Sequence, residues 1–246
     1  MTTAKKVALI VGTGMADFFD VRDLERRSTP YGESFMGRFT VSGRDVLLVP
    51  RHGPNYSLPP HRVNYRAVVR SIRDAQASLV IATNAVGSVN KRMKPGDFVV
   101  PDQILDFTRG RSQTFFDGDG NVVFTDVTNP YSEPVRDALC KAAKQSKVRA
   151  HRRGTYVCTE GPRFETAAEI RMFSKLGGDV VGMTGAPEAF LARELGLEYA
   201  TLCIVTNWAA GIATKVSHAE VLEIMKRVGP IAGDVIKSAV ARLLEV

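Results

Sequence analysis

The sequence predicts an α/β fold with a largely parallel central sheet, in a single domain spanning residues 1–246. Three observations carry that expectation. Short, continuously apolar runs such as Val7–Val11 and Leu79–Thr83 suit strands buried on both faces. These runs alternate with segments of helical period, the pattern of strand–helix–strand units. Nearly every run ends in a turn of small or polar residues, and no linker, repeat or low-complexity stretch interrupts the alternation. With 44% apolar and 24% charged residues, a chain of 246 residues suits one large domain, or at most two small ones.

Val7–Val11 (VALIV) is the first buried strand, and Gly12–Thr13–Gly14 follows at once. That turn offers backbone amides and a hydroxyl to an anion. It lacks the third glycine of a dinucleotide fingerprint and the lysine of a P-loop, so alone it reads first as a plain tight turn. Phe35–Val41 and Arg44–Val49, joined by Ser42–Gly43, read as a hairpin whose second strand ends in Pro50–Arg51–His52–Gly53. Arg51 and His52 at a strand end suit an anion clamp as well as a surface Arg and a capping His. After the Pro-rich stretch to His61, a helix is expected from Val63 to Ala75, with Tyr65, Val68 and Ile72 on one face.

Leu79–Thr83 is the next buried strand, with Asn84–Ala85–Val86–Gly87–Ser88 expected as a small-residue turn. Phe98–Val100 and Ile104–Leu105 read as extended. Thr108–Val127 is long, polar and glycine-containing, and carries Phe115, Phe116 and Phe124. Such a loop in a compact domain is usually functional or an interface element. A helix from Ser132 to Ser146 opens on a Ser cap with Glu133–Pro134 in its first turn. Gly154–Thr159 is a strand ending in Glu160–Gly161–Pro162–Arg163–Phe164–Glu165–Thr166, and a helix follows to about Lys175. Asp179–Val181 leads through Gly182–Met183–Thr184–Gly185 into a helix with Pro187 and Glu188 in its first turn. Tyr199–Thr206 is a strand ending in Asn207–Trp208–Ala209–Ala210–Gly211. A loop to Val216 leads to a last helix, Ser217–Leu244, whose Ser217 and Glu220 form a capping box.

The turns at 12–14, 51–53, 84–88, 160–166, 182–185 and 207–211 can therefore line one cleft at the sheet's carboxyl edge, where open α/β sheets bind ligands. The net charge of +7 would suit a polyanion, but Lys and Arg are scattered and not interleaved with aromatics, so nucleic acid is not the expected partner. No apolar run approaches a membrane span and MTTAKK lacks a signal-peptide core, which makes the cytoplasm the default location. Cys140, Cys158 and Cys203 form no paired motif and read as thiols rather than a disulfide or metal site.

Sorted by chemistry, Thr13, Arg51, His52, Ala85 and Thr184 supply hydroxyls, amides and positive charge, which fits a phosphate-like oxyanion. Asn207 offers an amide that donates and accepts in one plane, and Glu165 is an acceptor. Phe164, Met183 and Trp208 are apolar bodies. An oxyanion pocket beside a pocket for a planar heterocycle describes phosphorolysis of a nucleoside.

The ordered motifs GTG at 12–14, RHG at 51–53, NAVGS at 84–88, EGPRFET at 160–166, GMTGAPE at 182–188 and TNWAAG at 206–211 resemble the trimeric purine nucleoside phosphorylase and methylthioadenosine phosphorylase family. The resemblance spans residue 7 to about 225. It implies a mixed sheet partly closed into a barrel and flanked by helices, a homotrimer, and a reaction without metal or organic cofactor in which inorganic phosphate is the co-substrate. Carried over by position, it implies phosphate binding by Thr13, Arg51, His52, Asn84, Ala85 and Thr184. Substrate binding would fall to Phe164, Glu165, Met183, Asn207, Trp208, Ala209 and His218, with Asn207 and His52 as the catalytic pair. Phe124 would reach a neighbouring subunit's sugar pocket, or else join the other two phenylalanines in the chain's own core.

The branches of the family differ at three of these positions. The 6-aminopurine branch has an acid where this chain has Asn207 and a small residue where it has Glu165. An amide donates to O6 and a glutamate accepts the N1–H of a 6-oxopurine, so both point to inosine and guanosine. His218 stands where the methylthio branch is apolar, and favours ordinary ribonucleosides. The wording of GMTGAPEAFLAREL and NWAAG still resembles methylthioinosine phosphorylases, which keeps 5′-methylthioinosine or methylthioadenosine as the alternative substrate. A non-catalytic nucleotide-binding domain would instead carry GxGxxG and an acid closing the second strand, and the chain has neither.

Overall fold

The computed structural model describes residues 5–118, 120–212 and 217–245. The end of the expected loop to Val216, residues 213–216, lies outside these, as do residues 1–4, 119 and 246. Among the described residues, eleven strands form one mixed sheet. They are β1 (Val7–Val11), β2 (Arg22–Thr29), β3 (Gly32–Val41), β4 (Arg44–Pro50), β5 (Leu79–Ser88), β6 (Phe98–Val99), β7 (Gln103–Asp106), β8 (Ala150–His151), β9 (Thr155–Cys158), β10 (Val180–Gly182) and β11 (Glu198–Trp208). It is flanked, among the described residues, by five α-helices: α1 (Tyr65–Asp74), α2 (Glu133–Gln145), α3 (Ala167–Lys175), α4 (Gly185–Glu194) and α5 (His218–Leu244).

The continuous apolar runs do what their composition requires. Val7, Leu9 and Val11 of β1 face a cluster built with α2 and α5, through Val135, Leu139, Ile236 and Val240. Ala8 and Ile10 face the opposite cluster, with Val68 and Ile72 of α1 and Leu191 of α4. Every helix but α4 starts on a side-chain cap. Asn64 accepts from Ala67 N–H, Ser132 from Val135 N–H, and Thr166 completes a capping box with Glu169. At α5, Ser217 accepts from Glu220 N–H.

β5 is the hinge of the sheet. One edge pairs with β11 along the whole strand. The other pairs with β1 over Leu79–Ala82 and with β10 only at Gly87–Ser88. Between Thr83 and Val86 that edge has no strand partner, because β1 and β10 diverge, and the sheet forks there. The main branch runs β2-β3-β4-β1-β5, continued by β11, β6 and β8; the other runs β10-β9-β7. Among the described residues no ladder joins the outer strands, so the partial barrel implied by the resemblance is not closed by hydrogen bonds.

Two expectations are corrected by these ladders. Asn84–Ser88 and Asn207–Trp208 are strand rather than turn, since β5 and β11 pair from Leu79 opposite Glu198 to Ser88 opposite Trp208, with one register shift between Val205 and Asn207. Cross-strand pairing overrides the turn propensity of Asn and Gly. β2 (RDLERRST) shows no apolar alternation. It forms by pairing with β3 and leaves its side chains mostly exposed, a charged edge that resists further strand addition.

Candidate functional site

The cleft opens where the sheet forks. A cavity of about 290 Å³ has Asn84–Gly87 of β5 on one wall and Val181–Thr184, the end of β10 and the turn into α4, on another. Arg51 and His52 close one end. Phe164 and Glu165, then Thr206, Asn207 and Ala209, form the other, with Thr13 and His218 at the mouth. Of the site residues expected from sequence, Trp208 alone does not line the cavity; it is half-buried at the end of β11. Alternation along β11 places it across the strand from Asn207.

Arg51 is held rather than free. Its side chain is 1% exposed and sits against Glu188, which is 0% exposed. Nη2 donates to Glu188 Oε2 at 2.8 Å, Nε donates to Oε1, and Nη1 donates to the Thr83 carbonyl at 2.8 Å. That carbonyl lies on the edge left open by the fork. Tyr199 also donates to Glu188, at 2.9 Å. Three of the five guanidinium N–H groups are thus committed, and among the described residues the other two have no partner. Burial opposes the guanidinium charge, but the Glu188 carboxylate outweighs it and leaves the Arg51 pKa raised.

His52 does not supply positive charge. Burial first, and the Arg51 charge next, push its pKa down to about 4. Its Nδ1 lies 2.7 Å from the Leu58 carbonyl, which can only accept. The ring is therefore the neutral Nδ1–H tautomer with Nε2 unprotonated. An unprotonated Nε2 accepts, so its match is a hydroxyl donor rather than a bare oxyanion.

Asn84 is buried and orients Thr184. Asn84 Nδ2 donates to Thr184 Oγ1 at 2.8 Å, and Thr201 donates to Asn84 Oδ1 at 2.7 Å. Having accepted from Asn84, the Thr184 hydroxyl keeps its own proton to donate. Thr13 Oγ1 is bonded to the Tyr56 hydroxyl, and the Tyr56 ring packs tilted against His52 with centroids 4.4 Å apart.

At the other end a β-bulge between Val205 and Asn207 turns Asn207 toward the cleft. Gly87 faces it, and a Cβ there would lie 3.2 Å from Asn207 Nδ2. The amide is oriented by Thr206, which donates to Oδ1 at 2.9 Å, and by Nδ2 donating to the Trp208 carbonyl at 2.9 Å. Among the described residues, the other N–H of the amide has no partner. Glu165 accepts from Thr159 at 2.7 Å, and burial pushes its carboxyl above the ordinary glutamate range. Met183 lies over Gly161, where a Cβ would come 2.5 Å from its sulfur.

The long loop resolves the question of its phenylalanines. Phe115 is buried against Tyr31, while Phe116 is exposed and Phe124 is 94% exposed. Tyr56, Thr159 and Glu188, which hold His52, Glu165 and Arg51, carry no site signal in the sequence. Glu188 reads in sequence only as a first-turn acid, and its partner lies 137 residues away.

A family model described as the phosphorylase superfamily matches residues 6–241. The chain is 49% identical over 230 residues to a 6-oxopurine nucleoside phosphorylase of Pyrococcus furiosus, covering 90% of this chain and 87% of that one. It is 47% identical over 242 residues to a probable S-methyl-5'-thioinosine phosphorylase of Methanothermobacter thermautotrophicus, covering 96% and 84%. Among solved structures, a methylthioadenosine phosphorylase from Schistosoma mansoni in complex with adenine superposes with a TM-score of 0.91 at 32% identity, covering 97% of this chain and 92% of that one.

Proposed function

The chain belongs to the phosphorylase superfamily, and on that premise we propose that it phosphorolyses 6-oxopurine ribonucleosides, inosine and guanosine, to the free base and ribose 1-phosphate. The observation that carries the choice of base is the pairing of Asn207 with Glu165 at one end of the cleft. An N–H of Asn207 meets the O6/N7 side of the purine, and the Glu165 carboxylate accepts N1–H, a proton that 6-oxopurines carry and adenine lacks. Leaving such buried groups unpaired costs about 1–3 kcal/mol each.

Hydrogen phosphate takes the opposite end. Two N–H groups of Arg51 and the Thr184 hydroxyl donate to its oxygens, and His52 Nε2 accepts from its P–OH. The nucleoside lies between, with Met183 against the sugar and Phe164 against the base. As the glycosidic bond stretches, the sugar gains oxocarbenium character beside the phosphate charge. The departing purine gains negative charge, which the Asn207 N–H stabilises. Both effects are strongest in a water-poor cleft. The reading requires no metal or organic cofactor.

The same reading includes a homotrimer in the cytoplasm, acting in purine salvage. The exposed Phe124 supports the assembly, because a neighbouring subunit's cleft would cover it. A second substrate, 5′-methylthioinosine, is favoured by one observation. A further cavity of about 830 Å³ adjoins the first, shares Thr13, His52, Tyr56 and His218 with it, and has apolar walls at Phe19, Leu24 and Leu222.

Incubating the protein with phosphate and, in turn, inosine, guanosine, adenosine, methylthioadenosine and methylthioinosine tests the assignment. Release of base and ribose 1-phosphate fastest from inosine and guanosine is the expected result. A preference for either 6-amino substrate would refute it, and fastest release from methylthioinosine would select the second substrate.

A further inference from the structure

Two buried side chains outside both subsites converge on one peptide unit. The Met183–Thr184 peptide joins the residue on the sugar wall to the hydroxyl of the anion subsite. Its carbonyl accepts from Arg111 Nη1, which comes from the long loop. Its N–H, together with that of Gly185, donates to the Tyr156 hydroxyl, at 3.3 and 3.2 Å. Both partners are themselves fixed. The Arg111 side chain is 2% exposed, donates to the Tyr65 hydroxyl at 2.9 Å and to the Glu160 carbonyl, and lies 5.2 Å from the centre of the Tyr65 ring. Tyr156 is fully buried on β9, directly opposite Val180 of β10.

The glycines of the turn are explained by this tyrosine. Neither Gly182 nor Gly185 has a positive φ, so neither is needed to bend the chain. A Cβ on Gly182 would lie 2.4 Å from the Tyr156 hydroxyl, and one on Gly185 would lie 3.0 Å from its ring. The residues are small because the tyrosine occupies the space a side chain would take.

The consequence is chemical. The first amides of a helix are ordinarily its anion site. At α4 the amides of Thr184 and Gly185 are taken up inside the protein, so the turn presents a side-chain hydroxyl instead. That hydroxyl is oriented as a donor by Asn84. We propose that Arg111 and Tyr156 are positioning residues for the reaction: by holding the two ends of the Met183–Thr184 peptide, they aim the Thr184 hydroxyl at phosphate and set Met183 against the sugar. The inference rests on the phosphorolytic reading of the cleft.

Tyr156→Phe removes the acceptor and keeps the ring, and Arg111→Lys keeps the charge and removes the fork. Each is compared with the wild type by steady-state kinetics on inosine at varied phosphate, with melting temperature measured in parallel. The phosphate KM is expected to rise about tenfold in each variant, with the inosine-to-adenosine ratio unchanged. On a Thr184→Ala background the same changes should add less than about twofold, because the hydroxyl they aim is gone. A purely structural role predicts a lower melting temperature or kcat with the phosphate KM unmoved, or an equal rise in both backgrounds; either overturns the proposal. Should Tyr156→Phe not fold, Arg111→Lys carries the same test from the loop side. A wild type that does not consume phosphate with inosine overturns the phosphorolytic reading itself and this inference with it, whereas an active wild type with indifferent variants overturns only the positioning roles.

Discussion

Glu188→Gln should destabilise the protein in phosphate-free buffer and make its stability unusually responsive to phosphate. Arg51 and Glu188 are both essentially inaccessible, joined through two donors of one guanidinium, with Tyr199 as a third partner. Neutralising the acid leaves a buried guanidinium without a counter-charge. Breaking such a pair from one side costs about 3–5 kcal/mol, more than deleting a surface pair by a wide margin. For a chain of this size that corresponds to a fall in melting temperature on the order of 10 °C. Phosphate supplies the missing negative charge from the cleft side, where two N–H groups of Arg51 remain open. Ligand that binds only the folded state stabilises by mass action, so phosphate should raise the melting temperature of the variant by more than it raises that of the wild type. Thermal melts of both proteins across a phosphate titration measure this. Equal phosphate shifts in the two proteins, or a variant melting within about 2 °C of the wild type, would refute the placement of Arg51 between Glu188 and the anion.

Other expectations follow from the same geometry. His52 is neutral when folded and ordinary when unfolded, so the unfolded chain binds the extra proton between pH 6.5 and about 4. Stability should fall as pH drops through that window, by at most about 3 kcal/mol, and His52→Gln should flatten the slope in acid denaturation curves. Glu165 must be ionised to accept N1–H, and its pKa is raised by burial. The kcat/KM for inosine should therefore rise with pH along a limb lying above the ordinary glutamate range, and Glu165→Gln should abolish that limb. Phe124→Ala removes a side chain that is 94% exposed, so melting temperature should hold while activity falls. Mixing Phe124→Ala with Asn207→Ala subunits should restore part of the activity, and demonstrably mixed oligomers without recovery would count against a shared site.

Much of the fold was legible because β1 and the first half of β5 are apolar on both faces, a pattern that only a covered sheet explains. The ends of β5 and β11 were not. NAVGS and NW have the composition of turns, and only their mutual pairing over ten positions keeps them extended. The error concerned backbone conformation and left the site residues in the cleft, since a splayed strand edge and a strand-end turn can both face it. Charge was harder to read than position. RHG announces a cationic pair, yet Glu188 compensates Arg51 and burial neutralises His52, and both effects come from contacts distant in sequence. Tyr156 reads simply as a core residue of GTYVCT, and its hydroxyl becomes visible as a turn anchor only when β9 is set beside β10.

The central claim is that Asn207 and Glu165 read the purine, and the ratio of kcat/KM for inosine to that for adenosine tests it most directly. Two mismatched contacts, worth about 3 kcal/mol together, predict a ratio of roughly a hundred or more in the wild type. Asn207→Asp, whose carboxylate accepts from a 6-amino group and repels O6, should cut the ratio by slowing inosine and speeding adenosine. The recovery should be incomplete, because Glu165 still lacks its N1–H partner. A wild-type enzyme that cleaves adenosine as readily as inosine, or an Asn207→Asp variant with an unchanged ratio, would contradict the account.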